Sequence, residues 1–144
     1  MKTNFFSVLI TDCLDDNACG RVLARLATLL SCVTISIGVN SDLEAGGNLV
    51  DALDAGSGQK GIILVNVAPR QSVQEKWQNG SPFGYFWIGN ILVVSTIDGR
   101  TLSLIKKLGL TESVHVLDVG KIAEIMFKHG MVSKSEMAYI VETQ

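Results

Sequence analysis

The sequence predicts an α/β domain with a mostly parallel sheet, and three observations carry that reading. Strand-like apolar runs alternate with helix-period segments through the first half of the 144 residues. The helical segments open on capping residues. The third apolar run is nearly continuous, as a strand covered on both faces should be.

Taken in order, Phe5 to Thr11 reads as a short buried strand. Asp15, Asp16 and Asn17 then supply helix N-cap chemistry. From Cys19 the apolar residues Val22, Leu23, Leu26, Leu29 and Leu30 recur at three- and four-residue spacing, with Arg21 and Arg25 off the stripe. That spacing predicts an amphipathic helix ending near Ser31. Cys32 to Val39 alternates, with Val33, Ile35, Ile37 and Val39 on one face of a second strand. Asn40-Ser41-Asp42 caps the next helix, and Glu44 stands three residues after Ser41 in capping-box spacing. Gly56-Ser57-Gly58 closes it. Gly46 and Gly47 inside this helix each cost roughly 1 kcal/mol relative to Ala, which close approach to the sheet would rationalise.

Gly61 to Val67 is the continuous run, predicted buried on both faces. The first half is therefore β-α-β-α-β, which implies right-handed crossovers and a parallel sheet. Ala68 to Pro82 is polar and aperiodic, the longest irregular stretch, and long loops in compact domains are more often functional than idle. Phe83 to Gly89 and Asn90 to Ile97 form a hairpin divided at Gly89-Asn90. After the turn at Asp98-Gly99, Thr101 to Leu108 reads as a short helix with Lys106 and Lys107 in its last turn. Ser113 to Val119 reads as a strand, Lys121 to His129 as a helix stopped by Gly130, and the tail from Ser133 as an amphipathic helix. The whole is a single three-layer, Rossmann-like α/β domain.

Composition narrows the function classes. With 47% hydrophobic and 18% charged residues the chain has the make-up of a globular protein. A formal charge of −2 without a Lys/Arg cluster argues against nucleic acid as partner. Charges interrupt every apolar run short of a membrane span, and Met1-Lys2-Thr3-Asn4 shows no signal-peptide pattern. Cys13, Cys19 and Cys32 match neither a C-x-x-C nor a zinc spacing, so no metal site is expected and a reduced, cytoplasmic setting is the simplest account. Buried structural thiols are the expectation for Cys13 and Cys19, and structural roles for His115 and His129. Trp87 is expected in the core and Trp77 in a pocket wall or subunit contact.

The strongest chemical constellation is the acidic turn Asp12, Asp15 and Asp16 after the first strand. A carboxylate at a strand's C-terminal end stands where open α/β sheets bind ligands. A phosphoacceptor receiver would need another carboxylate after the third strand, where Val65-Asn66-Val67-Ala68 has none. A haloacid-type phosphatase needs two aspartates one residue apart, and Asp12 and Asp15 are separated by two residues. Gly-rich phosphate loops are also absent. What remains is a nucleoside held by its ribose diol, for which a carboxylate is a suitable acceptor.

The order of these pieces resembles the N-terminal domain of the S-adenosyl-L-methionine hydroxide adenosyltransferases, the family that includes the fluorinases and chlorinases. Ile10-Thr11-Asp12 with Asp15-Asp16-Asn17 is similar to the family's opening Thr/Ser-Asp motif and acidic turn, about two residues shorter here. Asp42-Leu43-Glu44-Ala45-Gly46-Gly47 resembles its acidic helix start with a Gly-Ala step. Gly61 to Pro69 resembles the third strand running into an Asp-Pro or Tyr-Pro turn. Tyr85-Phe86-Trp87-Ile88-Gly89 and then Ile97-Asp98-Gly99 resemble its aromatic strand and Asn-Gly turn, and Ser135-Glu136-Met137 the end of that domain.

The resemblance implies a metal-independent protein, trimeric, that binds an adenosyl compound with Asp12 on the ribose hydroxyls. Asp16, Asn17, Pro69, Arg70, Trp77 and Asp98 complete the implied ligand-binding set. The family's reaction is displacement of methionine from the 5′ carbon of S-adenosylmethionine. Its hydroxide-using members carry an Asp-Arg-His set that direct alignment would put at Ala68, at Glu75 or Lys76, and at Ser133, none of which retains the residue type. Arg70, Lys76 and His129 are a possible substitute set, and no catalytic residue is assigned. The family's β-rich second domain has no counterpart up to Gln144, so half of such a pocket is expected from elsewhere. Two alternatives stand beside this. One is a non-catalytic oligomeric scaffold using the 68–82 loop and the C-terminal helix for contacts. The other is a small α/β hydrolase using Cys13 or Cys19.

Overall fold

The computed structural model describes residues 5–67, 82–111, 113–118, 121, 124, 127–131, 133–136 and 138. The elements are β1 (Phe5–Thr11), α1 (Asp16–Leu30), β2 (Thr34–Gly38), α2 (Asp42–Ala55), β3 (Lys60–Asn66), β4 (Phe83–Ile88), β5 (Ile91–Thr96), α3 (Ser103–Lys107) and β6 (His115–Val116). The fold is α/β, a mostly parallel six-stranded sheet in the order β2-β1-β3-β5-β4-β6 with helices on its faces. β1 pairs in parallel with both β2 and β3, and β3 with β5. The β4–β5 hairpin supplies the antiparallel step, and β6 pairs antiparallel to β4.

One sheet face carries the core. Ile10, Ile63, Val65, Phe86, Ile91 and Val93 pack with Ala45, Leu49 and Leu53 of α2 and with Leu102 and Ile105 at α3. Each of the valine, leucine, isoleucine and phenylalanine side chains buried there contributes roughly 1.5–3 kcal/mol. The Phe6 ring fills the space that side chains at Gly56 and Gly61 would occupy, locking the end of α2 against β1 and β3. α1 contributes no buried residue. It runs over β2 on the other face, as a right-handed crossover in the reverse direction requires.

That imbalance corrects several sequence expectations. β3 alternates between buried and half-buried positions instead of being buried on both faces, with Ile62 and Leu64 on the thinner side. Trp87 shares that side and is 59% exposed, not a core residue. His115, by contrast, has the kind of structural contact expected of it: although exposed, it stacks on its cross-strand partner Tyr85, ring centroids 5.1 Å apart. The expected strand over Ser113 to Val119 contracts to His115–Val116. β2 is likewise shorter than predicted, leaving Val33 outside the strand.

Turn and cap chemistry follows the sequence closely. Gly89 takes a φ of 56°, so positive φ sits at the first central residue of the two-residue hairpin turn. Ser41 accepts from the Glu44 amide while Glu44 accepts from the Asn40 amide, both at 3.0 Å. Ser133 and Glu136 form a fully reciprocal cap further on, each side chain accepting from the other residue's amide, and Lys134, Ser135, Glu136 and Ala138 are helical. Lys121, Glu124, Phe127 and Lys128 are helical too, followed by Gly130 at a φ of 68°.

The two glycines inside α2 separate. A Cβ on Gly46 would sit 2.8 Å from the Thr101 carbonyl oxygen, so its close approach is to the turn before α3 and not to the sheet. Gly47 has open space around it. Gly46→Ala should therefore destabilise by about 1–3 kcal/mol through backbone displacement. Gly47→Ala should stabilise by up to about 1 kcal/mol through helix propensity. Urea midpoints of the two variants measure the contrast, and equal effects of one sign would contradict this packing.

Candidate functional site

Parallel pairing of β1 with β2 and β3 sends the chain from the end of β1 to one side and from the end of β2 back across to the other. The crevice between the C-terminal ends of β1 and β3 is therefore the topological switch point. Asp12 follows β1 directly and is half-buried. Thr11 pairs in register with Asn66, an exposed polar residue that ends β3 on the other side of the crevice. Thr11 is buried, and its hydroxyl accepts from the Cys13 amide at 3.1 Å, fixing the backbone as it leaves the strand.

The acidic turn divides its labour. Asp15, in extended backbone, accepts from the Ala18 amide at 2.8 Å and is the N-cap of α1. Asp16 and Asn17 form the first helical turn and are exposed, with the unpaired amides of the helix start adding positive potential there. Asp12, Asp16 and Asn17 thus lie along the one loop-and-turn that leaves the end of β1. Asp98 is exposed after β5 on the same sheet edge, two strand spacings or roughly 10 Å from the β1 position. Pro69, Arg70 and Trp77 lie outside the described residues, as do Ala68, Glu75 and Lys76.

Asn66 is the residue that sequence reading passed over. Its signal was a polar residue ending an otherwise apolar strand, noted only for not being a carboxylate. Asp42 has a structural task instead. Its carboxylate accepts from the Arg100 amide at 2.8 Å and lies 3.5 Å from the guanidinium, tying the start of α2 to the turn before α3. The thiols are not buried: Cys13 is exposed, Cys19 and Cys32 are intermediate, and all three are free. Local turn geometry at the start of α1 leaves Cys13 at the surface, whereas the lack of a histidine partner had suggested buried structural thiols at Cys13 and Cys19. His129 is exposed at the end of its helical segment.

Among the described residues no group of three His, Cys, Asp or Glu side chains could hold a metal ion, and no helix is long and apolar enough to cross a membrane. A shallow groove of about 340 Å³ runs along α1, lined by Ala24, Arg25, Thr28 and Leu29, on the helix flank and away from the strand ends. Capping and ligand contact by the turn are separable by mutation. Asp15→Ala should lower stability by about 1 kcal/mol. Asn17→Ala, at an exposed position, should stay within about 0.5 kcal/mol of the parent. Thermal melts of both variants test this division, which fails if Asp15→Ala is silent. Comparison with protein-family models, with curated protein sequences and with solved structures returns no match.

Proposed function

We propose that the chain binds a nucleoside or adenosyl compound at the β1–β3 crevice, with Asp12 accepting hydrogen bonds from the ribose diol. The observation that carries this reading is the position of Asp12 at the switch point of the sheet. A carboxylate there can accept from two vicinal hydroxyls at once, a charge-assisted arrangement. Asn66 across the crevice offers both a donor and an acceptor to the same ligand. The absence of a Gly-rich phosphate loop after β1 favours a ligand recognised by sugar and base over one held by phosphates.

Binding without turnover is the form of this reading that the residues favour. Ser133, at the alignment position of the adenosyltransferase histidine, has its amide and hydroxyl engaged with Glu136 in a cap. Hydroxide chemistry at the 5′ carbon would need another set. If turnover exists, displacement at that carbon, with electrostatic stabilisation of the departing group, is the reaction to look for. The trimer belongs to the same resemblance and stands or falls with it. The scaffold alternative draws on the absence of that catalytic set and predicts a partner in place of a small ligand.

Titration calorimetry with adenosine, 2′-deoxyadenosine and S-adenosylmethionine distinguishes these. Asp12→Ala should cost roughly 1.5–3 kcal/mol of adenosine binding with an unchanged circular dichroism spectrum. Removing the 2′ hydroxyl should weaken binding to the parent and add little further loss in Asp12→Ala, because the two changes delete one interaction. No heat from the parent with any of the three ligands at millimolar concentration overturns the reading.

A further inference from the structure

Gly38, the last residue of β2, seats the turn that carries Asp12, and we infer that it is a positioning residue for ligand binding at the crevice. Glycine weakens a strand, so one inside a strand marks either a special backbone or a close approach. The backbone asks for nothing special here, since Gly38 lies within β2 and its φ is not positive. The close approach is that of Leu14. A Cβ on Gly38 would sit 3.1 Å from the Leu14 Cδ2, and among the described residues it would meet no other atom outside its chain neighbours within 4 Å.

The contact has a direction. β2 and β3 lie on opposite sides of β1, and Leu14, two residues beyond Asp12, rests on β2. The turn therefore leans toward β2 and away from β3, which leaves the β1–β3 crevice open. Gly38 is also the register partner of Thr11, whose hydroxyl holds the Cys13 amide.

The turn is thus held in sequence by Thr11 at Cys13, by Gly38 under Leu14 and by the Asp15 cap at Ala18. Of these three, only the seat on Gly38 depends on a side chain being absent. Leu14 is 64% exposed, so a larger residue at position 38 displaces it at little cost to the fold. Displacement lifts the turn off β2 and lets it shift toward the crevice. The role in binding rests on the crevice being the ligand site, whereas the seat itself can be read without a ligand.

The test is adenosine calorimetry on the full chain carrying Gly38→Val, Leu14→Ala or both, with a thermal melt of each. Gly38→Val should leave the melting midpoint unchanged or raised, valine being the better strand residue, while weakening adenosine binding by about tenfold. In the Leu14→Ala background, where the colliding methyl is gone, the same change should cost less than about threefold. A merely structural glycine would move the melting midpoint together with binding, whatever residue stands at position 14. If Gly38→Val unfolds, Gly38→Ala in the same cycle decides.

Cys13 reports the turn without ligand. With Cys19→Ser and Cys32→Ser in place, Gly38→Val should change the rate of its reaction with iodoacetamide by about threefold or more. Leu14→Ala should remove that change. No heat from the parent with adenosine overturns the crevice as ligand site and the role of Gly38 in binding with it, and the Cys13 rates then decide the seat alone. Adenosine binding to Gly38→Val at parental strength, a loss that Leu14→Ala does not diminish, or an unchanged Cys13 rate would overturn the inference even where the parent binds.

Discussion

The parallel pairing of β1 on both of its edges is the constraint from which the rest of the molecule follows. A strand bonded to β2 on one side and β3 on the other cannot deliver both connections on one face of the sheet, because right-handed crossovers in opposite directions need opposite faces. α1 and α2 are thereby separated by the sheet. The chain parts at the end of β1, and Asp12 occupies the parting. Its position is a consequence of connectivity more than of any contact that the acidic turn itself makes.

The two layers that result are unequal. α2 and α3 bring leucine, isoleucine and alanine side chains onto the central strands, and the buried core lies with them. The tie from Asp42 to Arg100 and the close approach at Gly46 belong to the same layer, fastening α2 to the turn before α3. α1 has an apolar stripe of comparable regularity and buries none of it fully. Its order rests on the Asp15 cap, the contact with β2 and partial burial of Leu23, Leu26 and Leu30.

This inequality explains which features were legible in the sequence. Caps, turns and element order are local chemistry, and Ser41 with Glu44, Gly89-Asn90 and Gly130 read correctly because their hydrogen bonds span only a few residues. Burial is a property of what lies opposite. The alternation Val33, Ile35, Ile37, Val39 correctly indicated a strand but not that it ends the sheet, so Val33 and Ile35 emerged exposed. Trp87 failed for the same reason, as did the expectation of full burial for β3. At the crevice, Asp12 was visible as a carboxylate ending a strand, whereas Asn66 needed the register of β1 against β3. Neither residue announces the other in the chain.

The proposed ligand at Asp12 meets the start of α1, the helix that contributes no fully buried residue. Segments with little buried area open at lower free energy than the core does. A ligand that binds only the ordered form raises stability by mass action, so binding at Asp12 would act first on this thin layer. The thin packing of α1, which looks like a defect when the chain is considered alone, is what would make its stability respond to the ligand.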